Sequence, residues 1–253
     1  MPTLILTTTV FARYLRATLR NPIIVAVGLV QPLLYLYLFG PLLTSLSPLN
    51  PTPEVTSYDI FVPGLLVQLV LFGAAFSGLS TVTEWRSGEL ERVLATPAPR
   101  IALLGGRVLR DVVVMIIQSI LLIAAAFTLG VRHNIGTLAL MLVLVGVLTV
   151  AIASMSYLFA LTTKSEQALA QLANGILLPV TLLAGIMLPM SVAPQWLRSV
   201  SRFNPLTYIV DAARSLFDPT QPVWHTWLGF AVATVLAVAL FFLAHRKMSS
   251  DNQ

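Results

Sequence analysis

Residues 135–162, IGTLALMLVLVGVLTVAIASMSYLFALT, run without a single aspartate, glutamate, lysine or arginine. About 20 predominantly apolar residues are enough for a helix to cross the hydrocarbon core of a bilayer, so this stretch predicts a spanning helix. The same test applied outward in both directions finds five more runs, at residues 21–45, 61–83, 112–131, 167–189 and 223–244. The expected architecture is all-α and integral to the membrane, with six transmembrane helices forming a single domain over residues 1–253. Between the fifth and sixth runs, residues 190–222 are too polar to span and too apolar for an ordinary loop. They read as short re-entrant or interfacial helices.

Composition points the same way. With 57% hydrophobic and only 10% charged residues, the chain has too little polar surface to coat a water-soluble fold of this length. A mean hydropathy of +0.87 and frequent Pro and Gly also fit spanning helices, which tolerate both. The net charge of +5 does not indicate a nucleic-acid partner, because the basic residues are scattered over loops and helix ends and form no stripe. The absence of cysteine leaves no disulfide framework, thiolate metal site or cysteine nucleophile.

The basic residues set the orientation. Arg13, Arg16, Arg20, Arg86, Arg92, Arg100, Arg107, Arg110, Lys164, Arg246 and Lys247 fall on one side of the predicted topology, eleven in all. Arg132, Arg198, Arg202 and Arg214, four in all, fall on the other. The positive-inside rule then places both termini and the loop after the second span in the cytoplasm. A cleaved signal peptide is not expected, since the first apolar run is too long for a signal core and follows an arginine-bearing segment. In that leading segment, residues 1–20, Arg13, Arg16 and Arg20 share one helical stripe while Leu4, Phe11, Leu15 and Leu19 lie roughly opposite. This predicts an amphipathic interfacial helix, either a plain surface anchor or an element that passes motion to the first span.

The chemistry that is missing narrows the function. The six runs contain no carboxylate or basic side chain, whereas proton-coupled carriers place titratable groups inside the bundle. No phosphate-binding G-x-x-x-x-G-K-[ST] motif occurs, so this chain is not itself an ATPase, and no G-x-S-x-G hydrolase elbow is present. His133, His225 and His245 sit at span ends, far apart in sequence, and predict no metal site.

The densest concentration of charge lies after the second run, in residues 84–100, EWRSGELERVLATPAPR. Helix formers over residues 89–95 predict a short helix that Pro97 and Pro99 stop. A solvated loop carrying Arg86–Glu89 and Glu89–Arg92 ion pairs fits. So does a rigid charged helix that presses into a cleft of a soluble partner.

This segment's E-x-R-x-G-E-L-E-x-x-x-x-T-P-x-x-R pattern resembles the signature of type 2 ATP-binding-cassette exporter permeases. A second resemblance, to daunorubicin-resistance-type permeases, is carried by Leu188-Pro189, by residues 194–197 (PQWL) and by residues 204–211 (NPLTYIVD) with Arg214. Together with the span count it covers the whole chain. It implies a permease with no catalytic activity of its own, working with a separate ATPase present in two copies that binds ATP and Mg. It also implies a second permease chain, identical or paralogous, in a bacterial inner membrane. By the same resemblance Glu84, Arg86, Gly88, Glu89, Leu90, Thr96, Pro97 and Arg100 belong to the ATPase-coupling segment. A central pathway would be lined from the first, second and fifth spans by Gln31, Tyr35, Gln68, Phe72, Asn174 and Thr181. Trp196, Asn204, Pro205, Tyr208, Asp211 and Arg214 would form an extracellular element that gates the pathway or merely covers the bundle. An uncharged pathway favours a drug or lipid as substrate. The rival reading is an ATPase-independent channel or structural membrane subunit. Gly73, Ser77 and Thr81, with Ala74 and Gly78, form small-residue ladders expected to serve close helix packing.

Overall fold

Helix formation in this chain follows its apolar runs and their caps. A computed structural model describes residues 2–45, 57–94, 99–186, 190, 193–218 and 220–250. Among these the chain forms eleven helices and no strand: α1 (Pro2–Leu19), α2 (Pro22–Ser45), α3 (Ser57–Ala75), α4 (Leu79–Arg86), α5 (Glu89–Leu94), α6 (Arg100–Thr128), α7 (Ile135–Thr163), α8 (Glu166–Leu183), α9 (Gln195–Ser201), α10 (Pro205–Phe217) and α11 (Val223–Ser250).

The 29 residues of α7 give a rod about 43 Å long at 1.5 Å per residue, more than the hydrocarbon thickness. Its start is set by Asn134, whose side chain accepts from the Gly136 amide at 3.2 Å. Its end is set by Lys164 in the left-handed region, φ 50°, followed by Ser165, which caps α8 by accepting from the Ala168 amide. α7 is the hub of the bundle and packs against α11, α6 and α3. α1 lies along α6, α2 packs on α3, and α10 packs against both α11 and α3.

Among the described residues, five segments are long and apolar enough to cross a membrane: residues 25–42 of α2, α3 with α4 over 57–86, α6, α7 and α11. The expected fifth of six spans, residues 167–189, corresponds to α8. There Glu166, Gln167, Gln171 and Asn174 lower the hydropathy of the first half, Pro179 interrupts the second, and residues 187–189 lie outside the described ones. The third span begins earlier than its apolar run. Residues 100–111 are already helical, because this charged stretch finds partners on α1, α4 and α7.

The second run is two helices. α3 ends at Ala75 and α4 starts at Leu79, so the Ala75 carbonyl and the Gly78 amide lose their helical partners. The Ser156 hydroxyl on α7 serves both, donating to Ala75 O and accepting from Gly78 N at 2.9 Å. In the bilayer interior such loose backbone groups must be satisfied by a neighbour. A Cβ at position 78 would collide with the Ser156 carbonyl. Close packing is therefore what the small residues of this segment provide at Gly78.

α1 meets α6 through Thr7 and Val10, which lie against Gly106, and leaves Leu4 and Leu19 of its apolar side exposed. At the opposite end of the bundle, Trp196, Phe203, Trp224 and Trp227 are all more than half exposed, the pattern of an interfacial aromatic belt.

Candidate functional site

The segment that the sequence singles out folds as a helical hairpin. α4 and α5 are joined across Ser87 and Gly88, and Gly88 has φ 72°, a left-handed conformation that only glycine adopts without strain. Leu90 is fully buried and pins α5 to the bundle, whereas Ser87, Glu91 and Arg92 are exposed. The ion pairs expected within the segment do not form. Glu89 pairs with Arg13 of α1, and Arg86 lies 3.8 Å from Glu166 at the start of α8. Thr96 and Pro97 lie outside the described residues, and Arg100 opens α6 half-buried.

Glu84 faces inward. Its carboxylate accepts from the Tyr14 hydroxyl at 2.8 Å and from Arg107 Nη2 at 2.5 Å. Arg107 is 3% exposed, donates a second bond to Thr81 Oγ1 at 2.6 Å, and lies 5.1 Å from the Tyr14 ring centroid. One level deeper, Tyr157 of α7 donates to Asp111 Oδ2 at 2.6 Å and Arg110 approaches the other oxygen at 3.1 Å. Burial pushes the Tyr14 phenol up to about 12, with Arg107 opposing the rise and Glu84 adding to it. The phenol thus remains a donor to Glu84 throughout the neutral range. Trp85 stacks beneath Lys164 Nζ at 3.7 Å.

Sequence reading missed Tyr14, Arg107, Asp111, Tyr157 and Ser156. A signal was available for two of them. Pro99 directly before Arg100 marks a helix start, and a helix from there places Arg107 and Asp111 four apart on one face.

The expected pathway residues lie on three helices, α2, α3 and α8. Gln68 is buried in α3 and Phe72 half-buried. Gln31 on α2 is exposed, and Tyr35 packs edge-on to Phe39 with ring centroids 5.6 Å apart. On α8, Thr181 donates to Leu178 O, while Asn174 is exposed together with Gln167, Gln171 and Gly175 along one stripe.

The far end is tied to backbone. Asn204 caps α10 by accepting from the Leu206 amide, with Pro205 in the first turn, and donates to Val180 O at 2.8 Å. Arg214 is buried and donates to Ile60 O, Gly185 O and Ile186 O at 2.7–3.2 Å. Tyr208 donates to Arg202 O, and Trp196 is exposed. Burial lifts the Asp211 carboxyl above the usual range against the pull of Arg214 and His225. His133, which sits at a span end, pairs with Asp59 at 2.9 Å and stacks edge-on to Phe217.

Residues 5–217 match the ABC-2 type transporter family. A protein named as transport permease ycf38, of Porphyra purpurea, is 26% identical over 88% of this chain and 79% of its own length. The daunorubicin resistance ABC transporter permease protein DrrB1 of Streptomyces coeruleorubidus is 26% identical over 90% and 79%. A protein named as doxorubicin resistance ABC transporter permease DrrC, of Mycobacterium tuberculosis, is 25% identical over 94% and 87%.

Proposed function

Because this chain belongs to the ABC-2 type transporter family, we propose that it is the permease subunit of an ATP-driven exporter. It would move a hydrophobic or amphipathic substrate, a drug or a lipid, outward across a bacterial inner membrane. The drug-resistance names of two relatives support that substrate class. The observation that carries the reading is the α4–α5 hairpin: its exposed Ser87, Glu91 and Arg92 offer a charged tip to a soluble subunit, while its inner side is tied to the bundle. Two copies of a separate ATPase, which binds ATP and Mg, would close below and press on this tip.

A displacement of the hairpin would reach two helices at once. Glu89 holds Arg13, and Glu84 holds Tyr14, so α1 moves with it. The Arg107 fork holds Glu84 and Thr81, so the start of α6 follows. The pathway would form against a second permease chain, identical or paralogous. The exposed stripe of Gln167, Gln171 and Asn174 on α8, with Gln31 on α2, supports this, because uncompensated amides facing lipid are costly. Gln68, Phe72, Tyr35 and Thr181 would lie toward the same pathway, with α9 and α10 re-entrant at its outer end. The basic asymmetry supports a cytoplasmic hairpin and cytoplasmic termini.

Affinity purification in mild detergent is expected to retrieve a nucleotide-binding subunit. Export of an anthracycline from cells is expected to stop when that subunit's phosphate-loop lysine is replaced, and to persist when the proton gradient is collapsed with ATP maintained. Export that survives loss of ATPase activity but dies with the proton gradient would overturn the mechanism.

A further inference from the structure

An apolar groove of about 450 Å³ opens on the outside of the bundle between α6, α7 and α11, lined among others by Gly105, Leu109, Val112, Val150, Val238 and Phe242. Its volume lies in the range of ordinary ligand sites, roughly 300–1,000 Å³. Its rim is open to lipid, since Leu109, Val238 and Phe242 are 41–65% exposed. α1 reaches its lower end, where Thr7 lies close to Gly105.

The charge at that end identifies the occupant. Val238, Phe242 and Arg246 follow at four-residue intervals on one face of α11. The Arg246 guanidinium sits over the Phe242 ring at 4.9 Å from its centroid, exposed at the groove mouth. α11 contains no acidic residue, and Arg246 makes no ion pair with a carboxylate among the described residues. An apolar slot at membrane depth with an exposed cation one turn beyond it matches an acyl chain joined to an anionic headgroup. We propose that this groove is a binding site for one anionic phospholipid of the leaflet on the hairpin side, its acyl chain between α6 and α11 and its phosphate on Arg246. The site is separate from the transport pathway, and it requires only that α6, α7 and α11 span a bilayer.

The intact protein, reconstituted with equal phosphatidylglycerol and phosphatidylcholine, would be extracted and its retained lipid weighed by native mass spectrometry. Wild type is expected to retain phosphatidylglycerol preferentially. Arg246→Gln is expected to reduce that preference by roughly fivefold, the effect of one basic residue at an anionic surface, while total retained lipid stays the same. Val238→Trp, which fills the slot, is expected to lower retention of both lipids. Phosphatidylglycerol with a photoreactive acyl chain is expected to label peptides covering residues 105–112 and 237–242 of the wild type, a readout that needs no variant to fold. Labelling confined to other helices, an unchanged preference in Arg246→Gln, or displacement by millimolar inorganic phosphate would each overturn the proposal.

Discussion

The two ends of the bundle are held by different chemistry. At the hairpin end side chains hold side chains: Arg107 grips Glu84 and Thr81, Tyr14 reaches Glu84, Arg13 reaches Glu89, and Tyr157 reaches Asp111. At the α10 end, the His133–Asp59 pair apart, the long-range ties run from side chain to backbone. Arg214 and Asn204 donate to carbonyls of α3 and α8 and to the turn after it. Paired charges on separate helices can exchange partners as the helices move, whereas a guanidinium on three fixed carbonyls locks the segments that carry them. One end is thus suited to relaying displacement and the other to resisting it.

The largest effect is expected from Arg107→Ala, which leaves Glu84 inside the bundle without its cation. Breaking a buried pair from one side costs about 3 kcal/mol or more, so the thermal midpoint in detergent should fall by many degrees. Removing both charges, Arg107→Ala with Glu84→Ala, should restore part of the loss. A double variant no better than the single one would show that Arg107 matters for its packing and not for the pair.

Arg214→Lys comes next. A single ammonium cannot reproduce the fork on three carbonyls, so a loss of about 2 kcal/mol is expected from bonds of this charged type. Single cysteines in α3 and α10 of this cysteine-free chain should become faster to label in the variant. If labelling there is unchanged while stability falls, the α10 end is not the rigid one.

The smallest stability effect, under about 1 kcal/mol for an exposed pair, is expected from Glu89→Arg. Transport should nevertheless fall well below wild type at equal protein level, and Arg13→Glu combined with it should recover activity. Normal export in the single variant would break the relay reading of the hairpin end.

The element types were legible because a 3.6-residue period is not needed to see a span, only an uninterrupted apolar run. Such a run does not reveal which neighbour it meets. α2 and α3 read alike, yet the α3 span is 72% buried and the α2 span 22%. The short helix α5 was legible from the helix formers after Gly88, but its ionic partners were not. Arg13 is 76 residues from Glu89 in sequence and the nearer Arg86 and Arg92 offered themselves first. The run-based boundary also hid Arg107 and Asp111, since a charged first turn is indistinguishable from a loop until a partner for it is known. Arg214 was noticed, but three backbone acceptors leave no trace in side-chain composition.

The interruption between α3 and α4 makes the second span a jointed rod. Its lower arm, the eight residues of α4, is about 12 Å long and meets the shaft at the Ser156 hydroxyl, which bonds both broken backbone ends. On the proposed coupling, a push on the hairpin tip would tilt this short arm while the upper shaft, buried in the middle of the bundle, stays still. Spin labels at Ser57 and Ser87 would read this as a change in separation during turnover, where an unjointed rod would hold the distance constant.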